Sequence, residues 1–165
     1  MKTLLIMRHA KSSWKDENLA DHDRPLKKRG EYDAIQMGER IRKQGLTPQR
    51  IITSTAKRAL KTAELFAEAC HYEARIIATR QFYGAEPEDF VEVLRQLDDE
   101  DERVMIVGRN PDLEMLLEML TGTLESLPTA SIAQVTLPIE RWAELGEDTR
   151  GRLVQLLAPN GLTQA

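Results

Sequence analysis

Near the amino terminus an apolar run, Leu4-Leu5-Ile6-Met7, stops abruptly at Arg8-His9-Ala10. A run that is apolar at every position, rather than at alternate ones, reads as a strand covered on both faces, as in a parallel sheet between helix layers. In open sheets of that kind ligands bind beyond the carboxyl ends of the strands, where Arg8 and His9 would emerge. An arginine offers a planar fork of donors to phosphoryl oxygens. A histidine with an ordinary pKa of about 6.5 can be neutral and nucleophilic at cellular pH. The step therefore suggests phosphoryl transfer, although an Arg-His pair alone is also an ordinary solvated strand end.

Strand and helix signals alternate along the rest of the chain. A polar stretch from Lys11 to Pro25 shows no period and is long for a connection, which marks it as a functional loop. Leu26 to Gln44 reads as a helix with Ile35, Gly38 and Ile41 on one face, Gly38 approaching the sheet, and Gly45 as its stop. Arg50 to Thr53 is a second strand, and Ser54 or Thr55 is placed to cap a helix from Ala56 to Cys70, buried along Leu60, Ala63, Phe66 and Ala67. Ala74 to Ala78 reads as a third strand. Pro87 opens a third helix carrying Phe90, Val91, Leu94 and Leu97. The acidic run Asp98 to Glu102 reads as a solvated turn. Val104 to Val107 is a fourth strand, and a fourth helix follows from Pro111 and stops at Gly122. Ala130 to Pro138 and Arg152 to Ala158 are expected to add an antiparallel edge, with a helical turn near Trp142 between them.

This order predicts one α/β domain over residues 1–165: three α/β/α layers with a mostly parallel central sheet flanked by helices. At 165 residues and 41% hydrophobic content the chain can build one substantial core. Its net charge of −4 argues against a general nucleic-acid binder. The single cysteine, Cys70, forms no internal disulfide and reads as a small packing residue, which fits a reducing cytoplasm. No apolar stretch approaches the roughly 18 residues of a membrane span, so the expectation is a soluble cytoplasmic protein without a membrane partner.

Three strand ends carry chemistry-bearing residues: Arg8-His9, Thr53-Ser54-Thr55, and Gly108-Arg109-Asn110-Pro111. A doubly wound sheet brings such ends to one edge. Arg58 falls in the first turn of the second helix, whose amino end already favours an anion, and Thr62 shares that face one turn later.

The ordered set Leu5-Ile6-Met7-Arg8-His9-Ala10-Lys11-Ser12, Asp23-Arg24-Pro25-Leu26 with Gly30, Ser54 to Ala59 with Thr62, Tyr83-Gly84-Ala85, Gly108 with Asn110 to Glu114, and Leu127-Pro128-Thr129 resembles the histidine phosphatase superfamily, most closely its SixA-like phosphohistidine phosphatases. The resemblance runs through nearly the whole chain and implies a phosphoglycerate mutase-like fold. It implies that His9 is the nucleophile, transiently phosphorylated, and that Arg8 and Arg58 bind the phosphoryl oxygens. The residue chemistry agrees, because a neutral imidazole can attack phosphorus in line while arginines neutralise the equatorial oxygens. No metal or cofactor is expected. The arginines supply positive charge, and His9, His22 and His71 lack ligand spacing.

The family usually carries Gly-His-Asn-Pro where this chain has Gly108-Arg109-Asn110-Pro111. Arg109 keeps a charge and donors but cannot release a proton. Glu86, before the third helix, is a candidate general acid or simply a carboxylate favoured at a helix amino end. Lys11 and Ser12 are candidate phosphate contacts or solvated loop residues. Arg24 either lines the pocket or ties down the loop. Trp14 is placed to touch a protein substrate, Trp142 to pack, and His22 to sit on the loop surface. The Lys27-Lys28-Arg29 cluster reads as a solvated helix start. The short connections leave no separate cap, so an open pocket is expected. The leading reading is hydrolysis of phosphohistidine on a protein through a phosphorylated His9. The alternatives are a catalytically weakened phospholigand-binding module and a phosphatase of small phosphomonoesters.

Overall fold

The computed structural model describes residues 1–159 and the backbone of a short strand at Thr163–Gln164. In chain order the elements are β1 (Lys2–Arg8), α1 (Lys28–Lys43), β2 (Arg50–Ser54), α2 (Lys57–Ala69), β3 (Ile77–Thr79), α3 (Pro87–Leu94), β4 (Arg103–Gly108), α4 (Asp112–Thr121), β5 (Ile132–Leu137), β6 (Arg152–Leu157) and β7 (Thr163–Gln164). One-turn 3-10 helices lie at Asp21–Asp23, Arg80–Phe82 and Trp142–Glu144. The strands form one sheet in the order β3-β2-β4-β1-β5-β6-β7. The β1–β4, β2–β4 and β2–β3 pairs are parallel, and β5, β6 and β7 add successive antiparallel pairs. Because β6 again runs with β1, most strands share one direction, as the alternating signals imply.

Alternation along the strands divides the core between the two faces. Leu4, Ile6, Val104 and Ile106 meet Phe90 and Leu94 of α3 and the leucines of α4 on one face. Leu5, Met7, Met105 and Val107 meet Met37 and Ile41 of α1 and Ala63 and Phe66 of α2 on the other. Both faces are therefore covered, which explains why β1 and β4 are apolar at every central position. Full burial of each such side chain contributes about 1.5–3 kcal/mol, so the sheet is a rigid frame for whatever its edge carries. Among the described residues no helix is long and apolar enough to cross a membrane.

Several local expectations change. Ile35 is 38% exposed, and the buried face of α1 is Ala34, Met37, Gly38 and Ile41, one position round the helix. Gly38 faces α2 rather than the sheet, since a Cβ there would stand 2.6 Å from the Phe66 carbonyl oxygen. Neither Ser54 nor Thr55 is the residue capping α2. That place falls to Ala56, whose N–H donates to Ser54 Oγ at 3.2 Å. The third strand lies later than expected, because β3 pairs only through Ile77, Ala78 and Thr79 with the end of β2. Leu97 lies beyond α3 yet still packs on the core. The acidic run is only partly solvated: Asp101 is 9% exposed and pairs with Arg50 at 3.1 Å, and Asp99 accepts the Trp142 N–H at 2.8 Å.

Candidate active site

The loops after β1, β2 and β4 meet at the carboxyl edge of the sheet. His9 donates its backbone N–H to Gly108 O at 2.9 Å, joining the end of β1 to the end of β4. Ala10 N–H donates to Thr62 Oγ1 at 3.0 Å, and Thr62 in turn donates to Arg58 O at 2.7 Å, tying the same loop to α2. On the other side Ala130, held at φ 63°, donates its N–H to both Arg8 O and His9 O. The Arg8-His9-Ala10 backbone is thus clamped from three directions.

The clamp fixes the His9 ring. Nδ1 stands 2.7 Å from Ala10 O, and a carbonyl only accepts, so Nδ1 carries the proton. That leaves the Nε2 lone pair, which receives Arg58 Nε–H at 3.3 Å. The side chain is buried, and its pKa is pushed down to about 4. Desolvation is the largest cause; the Ala10 carbonyl opposes it, and Arg58, Arg8 and Arg24 add to it. At neutral pH His9 is an uncharged base whose Nε2 lone pair faces arginines and accepts from Arg58.

Around it is a cavity of about 390 Å³ lined by Arg8, His9, Lys11, Ser12, Arg24, Arg58 and Arg109 together with Trp14, Asp21, Lys27, Asn110 and Thr129. Of the candidates named from sequence, only Glu86 is not brought into it. Glu86 precedes α3, its backbone N–H donating to Asp89 Oδ2 at 2.9 Å, so it serves the start of that helix. Arg8 donates from Nη1 to Leu127 O at 2.9 Å, while its buried Nε has no protein partner. Desolvation lowers its pKa and Glu114 opposes that shift. Glu114 also holds the wall in place, accepting from Asn110 Nδ2 at 2.9 Å and from Leu127 N at 2.8 Å. Arg24 does both things proposed for it: it lines the cavity and binds Ser12 Oγ, Ser13 O and Asp21, with Trp14 stacked on its guanidinium at 3.1 Å.

Asp21 is the residue that the sequence did not single out. Its carboxylate accepts from Arg58 Nη2 at 3.0 Å, Arg24 Nη1 at 3.2 Å, Arg109 Nη1 at 3.5 Å and Tyr83 Oη at 2.8 Å. Arg58 Nη1 also donates to Asp21 O at 2.6 Å. Desolvation pushes its pKa up, but Tyr83, Arg58 and Arg24 overcome that and hold it at about 2. An acid three residues before Arg24, in an aperiodic loop leaving a phosphate-type step, was the available signal. His22 differs from its expected place on the loop surface. Half-buried, it packs edge-on against Tyr83 and its Nε2 lies 2.9 Å from Thr55 Oγ1, which anchors the Asp21 turn to the start of α2. Among the described residues no group of three or more His, Cys, Asp or Glu side chains is placed to hold a metal ion.

The arrangement resembles known proteins in sequence and in shape. A model of the histidine phosphatase superfamily (branch 1) matches residues 4–82. An uncharacterized protein of Mycobacterium tuberculosis is 32% identical over 150 residues, covering 84% of this chain and 91% of the relative. The crystal structure of a SixA protein from Agrobacterium tumefaciens, described as a candidate phosphohistidine phosphatase, matches with a TM-score of 0.82 and 26% identity. That match covers 96% of this chain and 98% of the other. A protein histidine phosphatase SixA solved with tungstate shares the fold at a TM-score of 0.82 and 21% identity, over 95% of this chain and 97% of its own. With the Arg8-His9 step at the end of β1 and a matching fold around it, this chain belongs to the histidine phosphatase superfamily and is a phosphatase.

Proposed function

We infer that this phosphatase hydrolyses phosphohistidine on a protein substrate through a covalent phosphohistidine on His9. The observation that carries the reading is the His9 ring: a neutral imidazole whose Nε2 lone pair lies at the floor of an arginine-lined cavity. Nε2 attacks phosphorus, forming one N–P bond as the substrate N–P bond breaks and the departing imidazole keeps its electron pair and a proton. Water then attacks the phosphorylated His9, releasing inorganic phosphate and restoring the free ring. Arg8, Arg58 and Arg109 neutralise the equatorial oxygens, with no metal required. The buried, unpartnered Arg8 Nε is a donor available to such an oxygen.

The choice of a nitrogen leaving group rests on the missing acid. Among the described residues Asp21 is the carboxylate lining the cavity, and at a pKa of about 2 it is ionised. It cannot protonate an alkoxide, whereas an imidazole leaving group brings its own proton. The tungstate held by a SixA relative, a tetrahedral oxyanion, supports phosphate as the group recognised. Trp14, Lys11 and Lys27 are exposed at the mouth, which suits a protein surface more than an enclosed metabolite. A cytoplasmic setting fits the buried Cys70, whose thiol desolvation pushes up to about 11.

His9→Ala is expected to abolish turnover of a phosphohistidine peptide while its circular dichroism and its urea midpoint at pH 7 stay near those of the parent. Normal turnover by the variant would refute the mechanism. The second reading, a phospholigand-binding module, draws on Arg109, which is engaged with Asp21 at 3.5 Å. Acid-labile labelling of His9 by phosphoramidate, followed by phosphate release, separates the two, because a module yields neither.

A further inference from the structure

A second cavity, of about 870 Å³, adjoins the first and shares Trp14 and Lys27 with it. Its floor is apolar, made by Trp14, Pro25 and Leu26, and its rim is basic, made by Lys15, Lys27 and Lys28. Arg29 lies on the same groove, held by Asp33 at 2.9 Å. Among the described lining residues there is no carboxylate, in a chain whose net charge is −4. Trp14 is 69% exposed, with one face of its ring on the Arg24 guanidinium. The amino end of α1 contributes Lys28 and Arg29 and adds its own partial positive charge.

Resting on the phosphohistidine reading, the geometry points to this groove as the docking surface for the protein that carries the phosphoryl group. It takes a segment next to the phosphorylated residue that presents acidic side chains to Lys15 and Lys28 and an aliphatic side chain to Leu26 and Trp14. The continuity of the two cavities fixes the order: the phosphoryl group sits over His9 and its flanking segment runs past Trp14 into the groove. Charge complementarity selects an acidic partner, and the floor selects protein over nucleic acid. A bound strand needs successive aromatic platforms, whereas this floor offers one aromatic ring beside Pro25 and Leu26. The Lys27-Lys28-Arg29 cluster, a solvated helix start in sequence, thereby acquires a role.

The test uses two synthetic phosphohistidine peptides of equal length, one flanked by glutamate and leucine and one by lysine and serine, with phosphoramidate as a small substrate. The acidic peptide is expected to have a kcat/KM about tenfold higher than the basic one. The double variant Lys15→Glu/Lys28→Glu is expected to lower that value about tenfold while leaving phosphoramidate turnover unchanged. Equal kcat/KM for the two peptides, or no response of the acidic peptide to the double variant, would overturn the docking surface with the phosphatase reading intact. Binding of the unphosphorylated acidic peptide is followed separately by tryptophan emission, since Trp14 is exposed and Trp142 fully buried. Saturable, charge-dependent emission changes without hydrolysis of either peptide would keep the surface and overturn the phosphatase reading. No emission change, or a tighter response to oligothymidylate than to the peptide, would overturn the protein partner.

Discussion

Arg58 donates from Nε to Nε2 of His9 across 3.3 Å, and with Nη1 and Nη2 it holds Asp21. One guanidinium therefore touches both His9 and the only carboxylate among the described residues of the cavity. Because His9 is pushed down to about 4 by desolvation first and by the arginines next, its imidazole proton resonances should not titrate between pH 5.5 and pH 8. Arg58→Ala is expected to raise the His9 pKa, yet leave it below its ordinary value, since desolvation is the larger cause. An NMR titration checks both statements. A His9 midpoint near the ordinary value in the parent protein would show that the ring is not held neutral by its surroundings.

The same depression makes stability depend on pH. The unfolded chain protonates His9 near 6.5 and the folded chain only near 4, so between these values the unfolded state binds more protons. The folded state keeps its full advantage above the unfolded pKa and loses it as pH falls toward 4. For this group the loss from pH 7 to pH 5 is about 2 kcal/mol. His9→Ala is expected to remove that increment, so that urea midpoints at the two pH values differ less in the variant than in the parent. Asp21 acts in a lower window, below its ordinary 3.8 and toward 2. An unchanged pH dependence in His9→Ala would place the titration elsewhere.

Asp21 occupies, with its carboxylate, donors that a phosphoryl group would use on Arg24, Arg58 and Arg109. Asp21→Asn keeps the shape and the Tyr83 contact but removes the anion. Inhibition by tungstate or inorganic phosphate is expected to tighten about threefold to tenfold, as a competing charge-assisted bond of roughly 1 kcal/mol is lost. Weaker inhibition would mean that Asp21 chiefly positions Arg58 and does not compete with the anion. Inhibition constants at one ionic strength decide between them.

What was legible in the sequence was what period and apolar continuity control: the strand-helix order, the two-faced burial of β1 and β4, and the Arg8-His9 step. Arg8, His9, Arg58 and Arg109 could be placed together because parallel strand ends share one edge. What escaped was set by tertiary contact rather than local pattern. The burial of Ala34 in place of Ile35 depends on the rotation of α1 against α2, set by Gly38 meeting Phe66. Asp21 and His22 sit in an aperiodic loop, and their positions follow from contacts to Arg58, Tyr83 and Thr55 that lie far away in sequence. Glu86 had the right residue type near the right helix, but it stands at the start of α3 and is not among the residues that line the cavity.

Arg109 cannot lose its proton, whereas a histidine at that place could. With His9 already neutral, the parent enzyme is expected to show kcat/KM independent of pH between about 6 and 8 once substrate ionisation is corrected. Arg109→His is expected to lose activity as pH rises through about 6.5, and Arg109→Ala to fall on the order of a hundredfold throughout. A flat profile for Arg109→His at the parental level would show that the side chain does not contact the transferring group.

Gly30 is where the site meets the helix layer. A Cβ there would stand 2.2 Å from Lys11 O and 2.9 Å from Lys11 N, both backbone atoms that cannot swing away. Lys11 O is also the acceptor for Lys27 N–H at 2.9 Å, the bond that seats the amino end of α1 against the loop after His9. Gly30→Ala therefore either displaces α1 or pushes Lys11 and Ser12 out of the cavity wall. Overpacking of this kind costs about 1–3 kcal/mol, against the small gain that alanine normally brings to a helix interior. The expected result is a lower urea midpoint together with a raised KM. A more stable Gly30→Ala variant with unchanged KM would mean that the approach of α1 to Lys11 is not what holds the loop.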